Sequence, residues 1–169
     1  MTLSLHEATT ADHYDAFAGL CREYVDWCRA RYAHDDWFVS EVFGYQSLDL
    51  ELQNLAGKYS PPNGRTLLVK RGGQVIGGGA YRRHSDTACE MKRLFISTRF
   101  SGHGAGRLLA NALMETARGE GYRYMQLDTG NLLKEAIGLY TSLGFETCPP
   151  YLTYPDRLMP YLVFMQKAL

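Results

Sequence analysis

A run of alternating glycines, Phe100-Ser101-Gly102-His103-Gly104-Ala105-Gly106-Arg107, constrains the fold of this chain more than any other segment. It stands between an apolar extended stretch, Met91 to Ile96, and an amphipathic one. Glycine has no β-carbon, so such a turn lets a ligand approach the backbone closely. The helix predicted after it points its unpaired N–H groups and the positive end of its dipole back at the turn. A phosphate or pyrophosphate is the group that such a place suits.

The chain has 169 residues, enough for one domain with its own core and no staples. Lys plus Arg and Asp plus Glu number 18 each, and this zero net charge argues against a nucleic-acid binder, which carries a basic excess. No apolar run approaches the ~20 residues that span a bilayer, and the N-terminus lacks a basic-then-apolar leader. A cytoplasmic protein without membrane contact is expected. Cys21 and Cys28 lie about 10 Å apart along a predicted helix, too far for a disulfide. There is no Cys-x-x-Cys, and His34, His84 and His103 have no metal-ligand spacing. Free buried thiols and no metal site are the expectation.

Element by element, Leu3 to Glu7 reads as a strand and Thr10 as the cap of a helix running to about Tyr32. That helix carries Phe17, Leu20, Tyr24 and Trp27-Cys28 on one face. A second helix is predicted over Leu48 to Lys58, ended by Pro61-Pro62-Asn63-Gly64. Strands follow at Thr66 to Lys70 and Val75 to Arg83, joined by Gly72-Gly73, and at Ala88 to Ser97. A helix from Gly104 to Arg118, a strand from Tyr124 to Asp128 and a helix from Leu132 to Leu143 come next. Two last strands, Phe145 to Cys148 and Tyr161 to Gln166, flank a loop rich in Pro and Tyr. The order βααβββαβαββ describes an α/β fold, a mixed sheet flanked by about four helices.

Simple phosphate-binding motifs do not account for the glycine run. Arg107 occupies the third glycine position of a dinucleotide fingerprint, and Gly78 stands where a Walker loop after Gly72 needs Lys. A second segment, Ala136-Ile137-Gly138-Leu139-Tyr140-Thr141-Ser142-Leu143-Gly144-Phe145, supplies the context. With it the chain resembles the GNAT superfamily of acetyl-CoA-dependent N-acetyltransferases. That family pairs a Gln/Arg-x-x-Gly-x-Gly/Ala loop with a later Ala-x-x-Leu-Tyr-x-x-x-Gly-Phe segment. Glu90-Met91-Lys92-Arg93-Leu94-Phe95-Ile96 and Leu127-Asp128-Thr129 are similar to one bacterial branch. Anchored on the helix start, the loop is Ser101 to Gly106, with Ser101 in place of Gln or Arg and Leu133 where an Asn is frequent.

The resemblance implies a mostly antiparallel sheet with splayed central strands and one N-acetyltransferase domain over 1–169. Residues 1–62 would serve the acceptor, and 65–169 would form the cofactor-binding and catalytic core. Backbone groups of Leu94, Phe95 and Ile96 would pair with the pantetheine amides of acetyl-CoA. Ser101, Gly102, His103, Gly104, Ala105, Gly106 and Arg107 would hold its pyrophosphate, with Arg107 adding charge there, reaching the 3′-phosphate, or standing as a surface arginine. Tyr140 would be the general acid that protonates the departing thiolate. Glu90 is the candidate base, directly or through water, or else an exposed strand carboxylate paired with Lys92 or Arg83. Asp128 is a second candidate, or a local hydrogen-bonding partner of backbone or Thr129.

The acceptor implied is a small-molecule amine attacking the thioester directly. Tyr32, Trp37, Tyr45, Tyr151 and Tyr154 are available to line its pocket, and Arg82 and Arg83 to meet a carboxylate. A non-catalytic acyl-CoA sensor and a protein or peptide acetyltransferase are the competing readings on the same fold. Family analogy allows monomers and homodimers.

Overall fold

The computed structural model describes residues 2–169. Its strands are β1 (Leu3–Glu7), β2 (Gly64–Arg71), β3 (Gln74–Arg83), β4 (Ala88–Ile96), β5 (Tyr124–Gly130), β6 (Glu146–Thr147) and β7 (Leu162–Ala168). Its helices are α1 (Ala11–Arg31), α2 (Asp36–Tyr45), α3 (Leu48–Gln53), α4 (Leu55–Tyr59), α5 (Ala105–Gly119) and α6 (Lys134–Ser142). The strands form one sheet in the order β1-β2-β3-β4-β5-β7-β6. Every pairing is antiparallel except β4 with β5.

Alternation along the strands sends side chains to two cores. Leu67 and Val69 pack with Leu109, Leu113 and Ala117 of α5, whereas Leu68 and Ala80 pack with Phe17, Cys21, Leu55 and Tyr59 on the opposite face. Thr10 caps α1 as the sequence predicts, accepting from the His13 N–H at 3.3 Å. The cysteines are free, and three of them, Cys21, Cys28 and Cys89, are buried.

Six helices replace the four expected. The predicted helix over Leu48 to Lys58 breaks at Asn54, whose side chain accepts from the Gly57 N–H at 3.0 Å and so starts α4 anew. Helix α2 has no counterpart in the predicted order. Asp35 precedes it without making a side-chain cap, and its sequence is dominated by aromatic and β-branched residues, which score poorly as helix formers. Burial of Phe38, Val39 and Val42 against Tyr32, Leu158 and Phe164 holds it in place.

The sheet opens where the site lies. Strands β4 and β5 pair only at Ala88 with Tyr124, Cys89 with Met125 and Glu90 with Gln126. Beyond these, β5 stays with β7 to Gly130, and β4 stays with β3 to Ile96. A bulge in β4 separates the two: Lys92 pairs with Ala80 but Phe95 pairs with Gly78, so Arg93 and Leu94 share the place opposite Gly79. Arg93 takes φ +59° there, a conformation that costs a non-glycine residue about 1–2 kcal/mol. Ion pairing of its side chain offsets that strain.

Candidate active site

The diverging strands leave the β4 backbone from Met91 to Ile96 without a neighbour on the β5 side among the described residues. A cavity of about 320 Å³ occupies this opening. Leu94, Phe95 and Ile96 line it on one side, and Leu127, Asp128 and Thr129 line it on the other. Tyr140 and Leu139 of α6, Gly106 of α5 and Ser101 of the glycine loop lie along its wall. Of the residues expected to hold the cofactor, Leu94, Phe95, Ile96, Ser101 and Gly106 line the cavity, whereas Gly102, His103, Gly104, Ala105 and Arg107 do not.

At the loop, Gly102 and Gly104 take φ +83° and +76°, and a β-carbon at either would meet nothing within 4 Å. The backbone needs glycine there for its conformation, and the space beside it is open. Gly104 caps α5; the first intrahelical bond runs from the Leu108 N–H to the Gly104 carbonyl at 3.0 Å, leaving the Ala105, Gly106 and Arg107 N–H groups at the free end. His103 is exposed at the tip. The Ser101 hydroxyl donates to the Thr98 carbonyl at 3.1 Å, so it braces the loop. Arg107 donates to Ser142 Oγ at 2.7 Å, tying α5 to α6.

Tyr140 is buried, with its ring edge-on to Phe145 at 5.7 Å. Burial, with the negative charge of Asp128 adding to it, raises its pKa above the ordinary value and keeps the phenol protonated. Cys28 also lines the cavity, but burial pushes its thiol up to about 12, so it is no thiolate nucleophile at neutral pH.

The two carboxylates occupy different places. Glu90 is fully buried rather than exposed, does not line the cavity, and has the Lys92 ammonium 3.0 Å from Oε1 and Arg82 at 3.8 Å. Arg83 turns instead to Asp86. Asp128 does line the cavity. Its Oδ2 accepts from the Tyr154 hydroxyl at 2.6 Å, in place of the local backbone or Thr129 partner expected. Its Oδ1 lies 3.9 Å from Lys92.

Of the aromatic residues expected around an acceptor, Tyr32 lines the cavity, whereas Trp37, Tyr45, Tyr151 and Tyr154 do not, and neither do Arg82 and Arg83. The wall comes from α1 and α2: Tyr24, Trp27, Val39, Val42 and Phe43. The helical spacing of Tyr24 and Trp27 on the predicted inner face of α1 was their only signal. At the mouth, Arg31 pairs with Glu135 and lies 4.9 Å above the Trp27 ring, joining α1 to α6. No group of three or more His, Cys, Asp or Glu side chains is placed to hold a metal ion among the described residues, and no described helix is long and apolar enough to cross a membrane.

This geometry has a counterpart among known proteins. The profile of the acetyltransferase (GNAT) family matches residues 28–145. The chain belongs to the GNAT family. Membership places it among acetyl-CoA-dependent acyltransferases. Its GNAT relatives include an uncharacterized N-acetyltransferase of Schizosaccharomyces pombe, 36% identical over 74% of this chain and 76% of the relative. The uncharacterized N-acetyltransferase YjgM of Escherichia coli is 37% identical over 61% of this chain, which spans 64% of that protein. The fold matches that of a PaiA N-acetyltransferase of Thermoplasma acidophilum, solved in complex with coenzyme A, with TM-score 0.72, 13% identity and 100% of both chains covered.

Proposed function

We propose that the protein is a cytoplasmic enzyme that moves an acetyl group from acetyl-CoA to the primary amine of a small molecule. The opening between β4 and β5 carries this reading, because it joins an anion-binding loop to a buried phenol and a carboxylate within one cavity. The open space beside Gly102 and Gly104 and the free N–H groups of α5 fit a pyrophosphate. The unpaired β4 edge at Leu94, Phe95 and Ile96 fits an extended chain of amides. We assign the cofactor to 65–169 and the acceptor to the half walled by α1 and α2, within 1–62.

Bound acetyl-CoA supplies the activated thioester. Residues of the chain position the amine against it, exclude water and manage protons. The acceptor arrives as an ammonium and must lose a proton before its nitrogen can attack. The C–N bond then forms and the C–S bond breaks, with Tyr140 donating to the sulfur. Two protons leave the nitrogen and one is taken up by sulfur, so each turnover releases one proton. The raised thiol pKa of Cys28 supports direct attack without an acyl-enzyme. Glu90, buried behind Lys92, acts on the amine at one remove, through water, or by holding Lys92 in place.

Calorimetry tests the cofactor assignment. Acetyl-CoA binds in the micromolar range, and NAD and ATP do not. Gly104→Val places a branched side chain in the open space and imposes φ strain of about 1–2 kcal/mol, so acetyl-CoA affinity drops more than tenfold in a folded variant. Unchanged affinity in that variant puts the phosphates elsewhere.

A further inference from the structure

The acceptor half of the cavity carries a charge pattern more specific than "an amine". Four charged side chains other than Asp128 line the cavity, and each is engaged with an oppositely charged side chain, although Arg93 Nη2 is buried without a hydrogen-bond partner. Arg31 pairs with Glu135, Arg93 with Glu51 at 2.7 Å, and Lys92 with Glu90 at 3.0 Å. Asp128 differs. Its Oδ2 takes the Tyr154 hydroxyl at 2.6 Å, but the nearest cation to Oδ1 is Lys92 at 3.9 Å, which sits closer to Glu90. Only 5% of the Asp128 side chain is exposed, so this negative charge is held out of water and short of one counter-charge. It lies two residues past the last β4–β5 pair, where the sheet has just opened, and near enough to Tyr140 to act on it electrostatically.

We infer that Asp128 is the carboxylate that receives the acceptor's ammonium, that Tyr154 positions it, and that the acceptor is an amine with an apolar body. The inference rests on the acetyl-transfer reading above and names the substrate class of that site. Its apolar part follows from Trp27, Val39, Val42 and Phe43, which form the wall from α1 and α2. The charged or titratable groups facing Asp128 are Lys92 and Glu90 from β4, Tyr140 from α6, and Tyr151 and Tyr154 from the 148–161 loop. Tyr154 also accepts from Gln46 Nε2 at 2.9 Å, and Gln46 Oε1 accepts from Arg93 at 2.7 Å. The 148–161 loop is thus wired through Gln46, the C-cap of α2, to the β4 bulge, which makes Tyr154 a positioning residue.

The test is direct binding of two probes of equal size, phenethylamine and 2-phenylethanol, to the full chain. Wild-type protein binds phenethylamine more than tenfold tighter than the alcohol. In Asp128→Asn, which keeps the acceptor for Tyr154, that preference for the amine over the alcohol falls to about one. A merely structural role lowers both affinities together and leaves the ratio intact. Tyr154→Phe weakens phenethylamine binding severalfold in wild type and has no effect in the Asp128→Asn background. Wild-type protein that binds both probes equally, or neither, overturns the inference, as does Asp128→Asn that keeps the preference. Acetyl-CoA binding, measured on the same samples, separates this outcome from failure of the acetyl-transfer reading. If that reading alone is wrong, the amine preference persists without acetyl-CoA affinity.

Discussion

Tyr140→Phe lowers turnover by about a hundredfold or more and leaves acetyl-CoA affinity within a factor of two. The substitution removes one oxygen from a buried ring that packs edge-on against Phe145, so the ring contact and the cavity wall stay in place. On the proposed mechanism, what is lost is the proton delivered to sulfur as the C–S bond breaks. The pH dependence has a definite sign. Burial and the nearby Asp128 charge both disfavour phenolate, so the acid form persists past the ordinary tyrosine value of 10.0. Wild-type kcat therefore shows no alkaline decline from this residue below pH 10. Steady-state kinetics with thiol detection, alongside calorimetry, reads both quantities. Equal turnover in the variant removes Tyr140 from the reaction.

Glu51→Ala destabilises the protein by about 3–5 kcal/mol, because it leaves the Arg93 guanidinium buried without its counter-charge. Glu51 sits on α3, 6% exposed, and accepts from Arg93 Nε at 2.7 Å and the Tyr59 hydroxyl at 2.8 Å, with Lys58 as a further partner. Burial alone would raise its pKa, but the Arg93 charge and the hydrogen bonds from Arg93 and Lys58 outweigh it and hold the carboxyl at about 2. A carboxyl whose folded pKa lies below its unfolded one stabilises the fold above the unfolded value. Its contribution is complete above about pH 4.5 and is lost as pH falls toward 2. Denaturant melts of wild type and Glu51→Gln at pH 7 and near pH 2.5 check this, with the difference shrinking at the lower pH. Replacing both partners with apolar residues, Glu51→Leu with Arg93→Met, recovers much of the loss. Because Arg93 forms the bulge that parts β4 from β5, a loss confined to stability, with cofactor binding untouched in Glu51→Ala, would detach this ion pair from the site.

The cofactor half of this architecture is legible in the sequence because its signals are local. Glycines at 102 and 104 are demanded by backbone conformation, and Leu139-Tyr140 stands out by its resemblance to the family's Ala-x-x-Leu-Tyr-x-x-x-Gly-Phe segment. The half proposed for the acceptor is built from contacts distant in sequence. Arg93 meets Glu51 from 42 residues away, and Tyr154 meets Asp128 from 26. Nothing local marks Arg93 as the bulge, since positive φ is read from glycine and this residue is arginine. Helix α2 escapes detection because it lacks a cap and is held by burial rather than propensity. Tyr154 illustrates the remaining gap: aromatic composition marks it as a wall residue, whereas its hydroxyl places it behind the cavity, on a carboxylate.

Amine-dependent release of thiol from acetyl-CoA, with mass spectrometry of the product on a panel of primary amines led by phenethylamine, decides whether the protein acetylates small amines. Each turnover yields one thiol and one N-acetylated small molecule, and neither forms without the amine. Binding of acetyl-CoA with no amine in the panel provoking thiol release would contradict this, and would instead make the protein an acyl-CoA sensor.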